Sequence, residues 1–233
     1  MTAKLPNTLC VDIGGTGLKM LVLSADGKPA CERVRVLTPN PPTPKKLIDA
    51  LDKMLEQIPK FDRVSVGFPG VIKEGKTMTA ANLDPAWIGF PLQAELEKRW
   101  KKPVCVANDA AVQGFAAIKG HGIEMILTLG TGMGSAIYSN GHCVPLELGH
   151  HPWRKKTYED YLGKRGLDKY GKKKWNKLVE LAIAQTLHTF NWDHLYIGGG
   201  NTKKLTLEPQ KNVSIVSNME GLMGGVMLWR GEE

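Results

Sequence analysis

The residues best suited to chemistry in this chain are polar groups set at the edges of glycine-rich loops. Asp12-Ile13-Gly14-Gly15-Thr16-Gly17-Leu18-Lys19 is the first such stretch. Phosphate binding asks for backbone N–H groups aimed into one concavity with no side chain in the way, and glycines allow both. Thr16 adds a hydroxyl donor and Lys19 a positive charge. Asp12, at the end of an apolar run, is placed to hold a hydrated Mg²⁺ through oxygen. The Gly-Lys-Ser/Thr ending and following helix of a P-loop are missing. A tight hairpin alone would use the same residues. A second loop, Gly130-Thr131-Gly132-Met133-Gly134, repeats the pattern, and two facing loops of this kind can clamp a chain of phosphates from both sides.

Two further groups stand out. Asn108-Asp109 lies where a strand-like run meets a helical pattern. A carboxylate there serves either as a helix N-cap or as a general base taking the proton of an attacking hydroxyl, with Asn108 fixing the acceptor beside it. In Glu147-Leu148-Gly149-His150, a glutamate and a histidine three apart can face one ligand, and charge-assisted hydrogen bonds of this type hold polyhydroxy compounds. His151 reads as structural or exposed.

The elements that position these groups follow from periodicity. Thr8–Ile13, Leu18–Ser24 and Cys31–Leu37 read as strands around glycine turns. Leu47, Ile48, Leu51, Met54, Leu55 and Ile58 recur at helical spacing, and Val64–Phe68 reads as a buried strand. A helix over Leu92–Trp100, a strand over Val104–Ala107 and a helix from Asn108-Asp109 follow. Met125–Leu129 and Ser135–Tyr138 then repeat the opening strand–loop–strand unit about half a chain later, the pattern of a duplicated domain. A helix through Leu178–Leu187, strands Leu195–Ile197 and Val213–Val216, and a last helix over 219–230 complete the chain.

Composition sets the class. Among the 233 residues, 42% are hydrophobic and 23% charged, a globular balance, and no apolar run approaches the ~20 residues of a membrane span. The four cysteines, Cys10, Cys31, Cys105 and Cys143, form no CxxC; three sit in apolar strand-like runs, and buried free thiols in a reducing cytoplasm are expected. Between Arg154 and Lys177, ten basic residues stand against three acids, which is most of the net charge of +8. Such a run is either a solvated face or the footprint of a polyanionic partner.

Taken together, Asp12–Lys19, Gly67-Phe68-Pro69-Gly70, Asn108-Asp109, Gly130–Gly134, Glu147–His150 and Gly198-Gly199-Gly200 resemble, in order and spacing, the ROK (repressor, open reading frame, kinase) family over nearly the whole chain. The stretch from Glu147 to Glu159 and the run Gly171-Lys172-Lys173-Lys174-Trp175 look most like the branch whose members are glucokinases using inorganic polyphosphate. The resemblance implies an α/β fold of two actin-like (RNase H-like, ASKHA) domains with mixed sheets around a central cleft. These would cover 1–108 and 109–233, with the last helix packing back on the N-terminal domain. It implies phosphoryl transfer from polyphosphate, with ATP as a second donor, to the 6-hydroxyl of glucose, and a cytoplasmic homodimer. Asp109 would be the base and touch the sugar; Asn108, Glu147, His150 and Glu159 would hold its other hydroxyls; Gly70 and Asn82 would complete the pocket. Gly14, Gly15, Thr16, Gly17, Lys19, Gly130, Thr131, Gly132 and Gly134 would bind phosphates, with Mg²⁺ at Asp12. Gly198, Gly199 and Gly200 would lie near a nucleotide, and Lys172, Lys173 and Lys174 would form a track for the polymer.

One departure is plain. Many members follow the glutamate–histidine motif with a three-cysteine zinc cluster, but residues 151–163 contain no cysteine. No zinc is therefore expected, which leaves open how Glu159 is positioned. Three rival readings remain: a strictly ATP-dependent ROK kinase; a sugar-sensing regulator, for which the nine residues before Cys10 hold no helix-turn-helix; and a nucleic-acid binder, since Trp153, Tyr158, Tyr161, Tyr170 and Trp175 interleave with the basic residues. No nucleic-acid or membrane partner is expected.

Overall fold

The computed structural model describes residues 5–80, 83–208, 210–216 and 222–229. They form two compact units, one built from the chain up to Ala116 with the stretch after residue 220, the other from Ala117 up to residue 220.

The first unit is organised by strands buried on both faces. β1 (Thr8–Ile13) and β2 (Gly17–Leu23) pair antiparallel as a hairpin, and β3 (Val34–Leu37) adds to the edge of β2. β4 (Arg63–Phe68) runs parallel to β1, and β7 (Val104–Asn108) runs parallel to β4 beside it, giving the order β3-β2-β1-β4-β7. Side chains alternate across a strand. Leu9, Val11, Ile13, Leu18, Met20 and Val22 therefore enter one core with helices α1 (Pro44–Leu55) and α2 (Leu92–Trp100), while Cys10, Leu21 and Leu23 face Leu222 and Val226 on the other side. Burial on both sides explains why these strands read as continuous apolar runs. Between β4 and α2, the small hairpin β5 (Ile72–Lys73) and β6 (Lys76–Thr77) folds over a short helix at Pro85–Trp87.

α3 (Asp109–Phe115) follows β7 directly. The C-terminal 3-10 helix Met223–Trp229 packs against α3, β1 and β4. Its glycines permit this: a Cβ on Gly224 would stand 1.9 Å from the Val112 carbonyl oxygen, and one on Gly225 would stand 2.5 Å from Cys10 Sγ. Ser65 ties the contact, its hydroxyl donating to the Gly225 carbonyl (2.6 Å) and accepting from Trp229 Nε1 (2.9 Å).

The second unit repeats the layout. β8 (Ile123–Leu129), β9 (Met133–Ser139) and β10 (His142–Leu146) are antiparallel neighbours, and β13 (His194–Gly198) and β14 (Val213–Ile215) extend the sheet in parallel, in the order β10-β9-β8-β13-β14. Between them lie the hairpin β11 (Pro152–Trp153) and β12 (Lys156–Thr157), then α4 (Tyr158–Leu162) and α5 (Lys164–Phe190). Mixed sheets of this kind in an α/β chain make the fold the actin-like one expected.

Several expectations need correction. β3 begins at Val34, not Cys31. The C-terminal helix is a 3-10 helix over 223–229, and its expected start at 219–221 and end at 230 lie outside the described residues. The long α5 is two helices joined at Gly171, whose φ of 70° and ψ of 161° break the spiral. Cys10 is buried, whereas Cys31, Cys105 and Cys143 are only partly so. Burial pushes the Cys10 thiol up to about 12 and the Cys143 thiol to about 11, which leaves both inert as nucleophiles.

Candidate active site

In the first unit, the first glycine loop is the turn of the β1–β2 hairpin. Gly14 N–H donates to the Gly17 carbonyl (3.1 Å), and Thr38 Oγ1 donates to the Gly14 carbonyl (2.5 Å) from beyond β3. Gly15 and Thr16 are exposed at its tip. Asp12 and Lys19 are direct cross-strand partners, and Lys19 Nζ lies 2.6 Å from Asp12 Oδ2. The residues expected to hold metal and phosphate separately therefore form one ion pair. A single carboxylate presented here fits an ion that keeps most of its water shell and takes its other oxygens from phosphate, as Mg²⁺ does. Among the described residues no group of three or more His, Cys, Asp or Glu side chains could enclose a metal.

At the same, C-terminal end of the parallel strands, Asn108 is the N-cap of α3. Its Oδ1 accepts from Ala110 N–H (2.9 Å) and Ala111 N–H (3.3 Å), while its Nδ2 donates to the Gly70 carbonyl (3.3 Å). Asp109 is the first helical residue, and its Oδ1 accepts from Ala110 N–H (2.8 Å). The capping position is thus filled by Asn108 rather than Asp109, and the helix N-terminus adds a favourable field for the Asp109 anion. Gly70 is held in a close turn, because a Cβ there would stand 2.5 Å from the Thr79 carbonyl oxygen. Asn82 lies outside the described residues.

In the second unit, the second glycine loop is the turn between β8 and β9. Gly130 N–H donates to the Gly132 carbonyl (3.0 Å), and Gly134 N–H donates to Thr128 Oγ1 (3.1 Å). Asn201, just after Gly198-Gly199-Gly200, donates to the Gly130 carbonyl (2.7 Å). Gly199 needs its φ of 94° and has Leu129 backbone 2.4 Å from where a Cβ would stand, so this glycine run is a close packing surface under the loop.

Glu147, His150 and Glu159 gather beside that loop. His150 Nε2 is 3.8 Å from Glu147 Oε2. Burial raises the Glu147 carboxyl; the His150 charge pulls it down, and the negative Glu159 pushes it up again. Glu159 Oε2 accepts from Met133 N–H (3.1 Å), inside the loop itself. That contact joins residues 26 apart, and nothing in the local sequence signals it.

How Glu159 is held where the three-cysteine motif is missing is visible in α4. Thr157 and Asp160 form a capping box at its start, and the Trp153 and Tyr158 rings stack 4.7 Å apart with Tyr161 edge-on to Trp153 at 5.4 Å. At the far end, Lys164 N–H donates to the Gly130 and Thr131 carbonyls (2.9 and 3.1 Å). Aromatic packing and backbone bonds thus dock the helix bearing Glu159 on the loop. This also weakens the nucleic-acid reading. Trp153, Tyr158, Tyr161 and Trp175 belong to the core of this unit, so they offer no open stacking face. The basic side chains of 154–177 are exposed, and Lys172, Lys173 and Lys174 follow the break at Gly171.

The family model described as "ROK family" matches residues 8–166, more than half of the chain. The chain belongs to the ROK family. This ROK protein is 29% identical to the polyphosphate glucokinase of Mycobacterium tuberculosis over 93% of its own length and 89% of the relative's. It is 34% identical to an N-acetylmannosamine kinase of Escherichia coli over 58% of its length and 48% of that protein's. Among solved structures, the inorganic polyphosphate/ATP-glucomannokinase of an Arthrobacter strain superposes with a TM-score of 0.86 at 29% identity, covering 95% of this chain and 97% of that one. A ROK glucokinase of Streptomyces griseus, solved with glucose and AMPPNP, superposes at 0.74 and 20% identity over 95% and 98%, a likeness of fold.

Proposed function

We propose that the chain is a glucokinase that transfers a phosphoryl group from inorganic polyphosphate, with ATP as a second donor, to the 6-hydroxyl of glucose. The observation that carries this reading is the gathering of Glu147, His150 and Glu159 beside the second glycine loop, which sets acceptors for sugar hydroxyls next to amides suited to phosphate. The likeness to polyphosphate-using relatives over nearly the full length supports the donor.

In the proposed reaction Asp109 takes the proton of the 6-hydroxyl as that oxygen bonds to the terminal phosphorus. The bond from phosphorus to the shortened polyphosphate then breaks, and the leaving chain carries away the negative charge. Asn108, by capping α3 and holding Gly70, keeps the Asp109 carboxylate fixed. Glu147, His150 and Glu159 hold the remaining hydroxyls. The glycine loops and Lys19 orient phosphate oxygens, and such positioning and charge complementarity supply most of the acceleration in phosphoryl transfer. A hydrated Mg²⁺ at Asp12 would neutralise charge on the transferring phosphates. Lys173 and its basic neighbours would follow the polymer outward.

A coupled assay crossing glucose, mannose and N-acetylmannosamine with ATP, GTP and long polyphosphate tests the reading. Turnover of glucose with polyphosphate is expected. Turnover with ATP alone would replace it with the strictly ATP-dependent kinase, and no turnover with any pair would favour a sugar-binding regulator.

A further inference from the structure

The bond between Glu159 and the second glycine loop has a consequence for the order in which ligands are held. Within residues 130–134, the Gly130 and Gly134 amides are spent on the Gly132 carbonyl and on Thr128, and Met133 N–H is spent on Glu159. The carboxylate lies directly over the loop: a Cβ on Gly132 would stand 2.2 Å from Glu159 Oε2, so only glycine leaves room for it. A carboxylate is an anion with the same taste for backbone amides as a phosphate oxygen. It therefore occupies part of the surface that a phosphate would use, and its charge repels one.

We propose that Glu159 is a positioning residue that couples the sugar site to the phosphate loop: its carboxylate holds the Met133 amide while the sugar site is empty, and the hydroxyls of a bound sugar draw it away, freeing that amide and the space over Gly132 for the phosphoryl donor. The inference rests on the proposed sugar and donor sites. Two features make the exchange favourable. Glu159 and Glu147 repel one another, and sugar hydroxyls donating to both would offset that repulsion. The helix bearing Glu159 stays docked through Lys164 N–H and the Trp153–Tyr158 stack, so only the side chain must turn. The arrangement would keep a phosphoryl donor weakly held until an acceptor is present, which limits transfer to water.

The test uses tripolyphosphate as the donor probe and 6-deoxyglucose, which lacks the reacting hydroxyl, as the sugar probe. Saturating 6-deoxyglucose is expected to tighten tripolyphosphate binding to the intact protein by roughly fivefold or more, and tripolyphosphate to tighten the sugar by the same factor, since coupling is reciprocal. The Met133 amide resonance should shift on adding the sugar alone. Glu159→Gln, which loses the charge, and Glu159→Ala, which loses the acceptor, should each bind tripolyphosphate without sugar about as tightly as the wild type binds it with sugar. Coupling in both should fall towards one, with the sugar concentration raised to saturate each variant. Coupling that persists undiminished in both variants, or a Met133 resonance that ignores the sugar, overturns the proposal while leaving the kinase reading in place. If neither glucose nor 6-deoxyglucose binds, the sugar site itself is refuted and the coupling falls with it.

Discussion

The polymer track makes a prediction that can be worked from helix geometry. Successive helical residues turn by about 100°, so Lys172, Lys173 and Lys174 fan over about 200° and cannot all meet one strand of phosphates. Beyond the break at Gly171, Lys173, Lys174 and Lys177 lie within about 100° of one another, opposite the buried Trp175, Leu178 and Val179. The triple variant Lys173→Gln, Lys174→Gln, Lys177→Gln therefore removes one coherent basic face. All three are exposed. Their removal should leave stability within about 0.5 kcal/mol of wild type, although Lys174 Nζ gives up its place 5.1 Å from the Tyr170 ring. For a single-stranded polyanion each neutralised phosphate contributes about 0.7 to the slope of log affinity against log salt, so three contacts contribute about 2. Between about 50 and 200 mM salt that is a factor of about 16 in affinity. The Michaelis constant for long polyphosphate should thus climb about 16-fold more steeply in the wild type than in the variant over that range. The constant for glucose should hardly move, and that for ATP, with only three phosphates, should move much less. An unchanged salt slope would show the lysines to be a solvated face and would refute the track.

The remaining predictions concern single residues within each unit. Asp109→Asn should lower turnover by about 10²–10⁴ with little change in the constant for glucose; near-normal turnover would leave Asp109 with no role beyond its place at the helix start. Gly132→Ala should fold, because its new Cβ meets the movable end of Glu159, yet bind glucose more weakly, as titration calorimetry would record; Gly149→Ala instead meets the Met133 carbonyl at 2.2 Å and should lower thermal stability. Because the Glu147 carboxyl is raised by burial, the folded state binds its proton more tightly than the unfolded chain. Its contribution to stability is then most favourable at low pH and declines as pH rises through the window from the unfolded to the folded value. Glu147→Gln should raise the melting temperature near neutrality, lose that advantage in acid, and flatten the pH dependence of glucose affinity.

Some of this was legible in the sequence because it is local. The Asp12–Lys19 and Gly130–Gly134 hairpins announce themselves by glycine spacing between apolar strands, and the continuous runs in β1 and β2 follow from burial on both faces. Glu147 and His150, three apart, were readable as one cluster. What was hidden depends on contacts between distant residues. The Met133–Glu159 bond joins residues 26 apart. The interleaved aromatics of 153–175 looked like a surface pattern because the charges between them are exposed, while Trp153, Tyr158 and Tyr161 turn inward to pack on one another. β10 escaped because Val144 is exposed and a proline in the run argues against a strand, although an edge strand accommodates it. The end of the first unit at Ala116, rather than at residue 108, arises because α3 packs on Met223–Trp229, more than a hundred residues away.

The most direct measurement is phosphorus and carbon NMR of the product formed from ¹³C-labelled glucose with long polyphosphate as the sole source of phosphorus. The account predicts a phosphoester on the C6 oxygen, formed in step with the loss of one residue from the polymer per turnover and abolished by Asp109→Asn. A product phosphorylated at another carbon, or none until ATP is added, would contradict it.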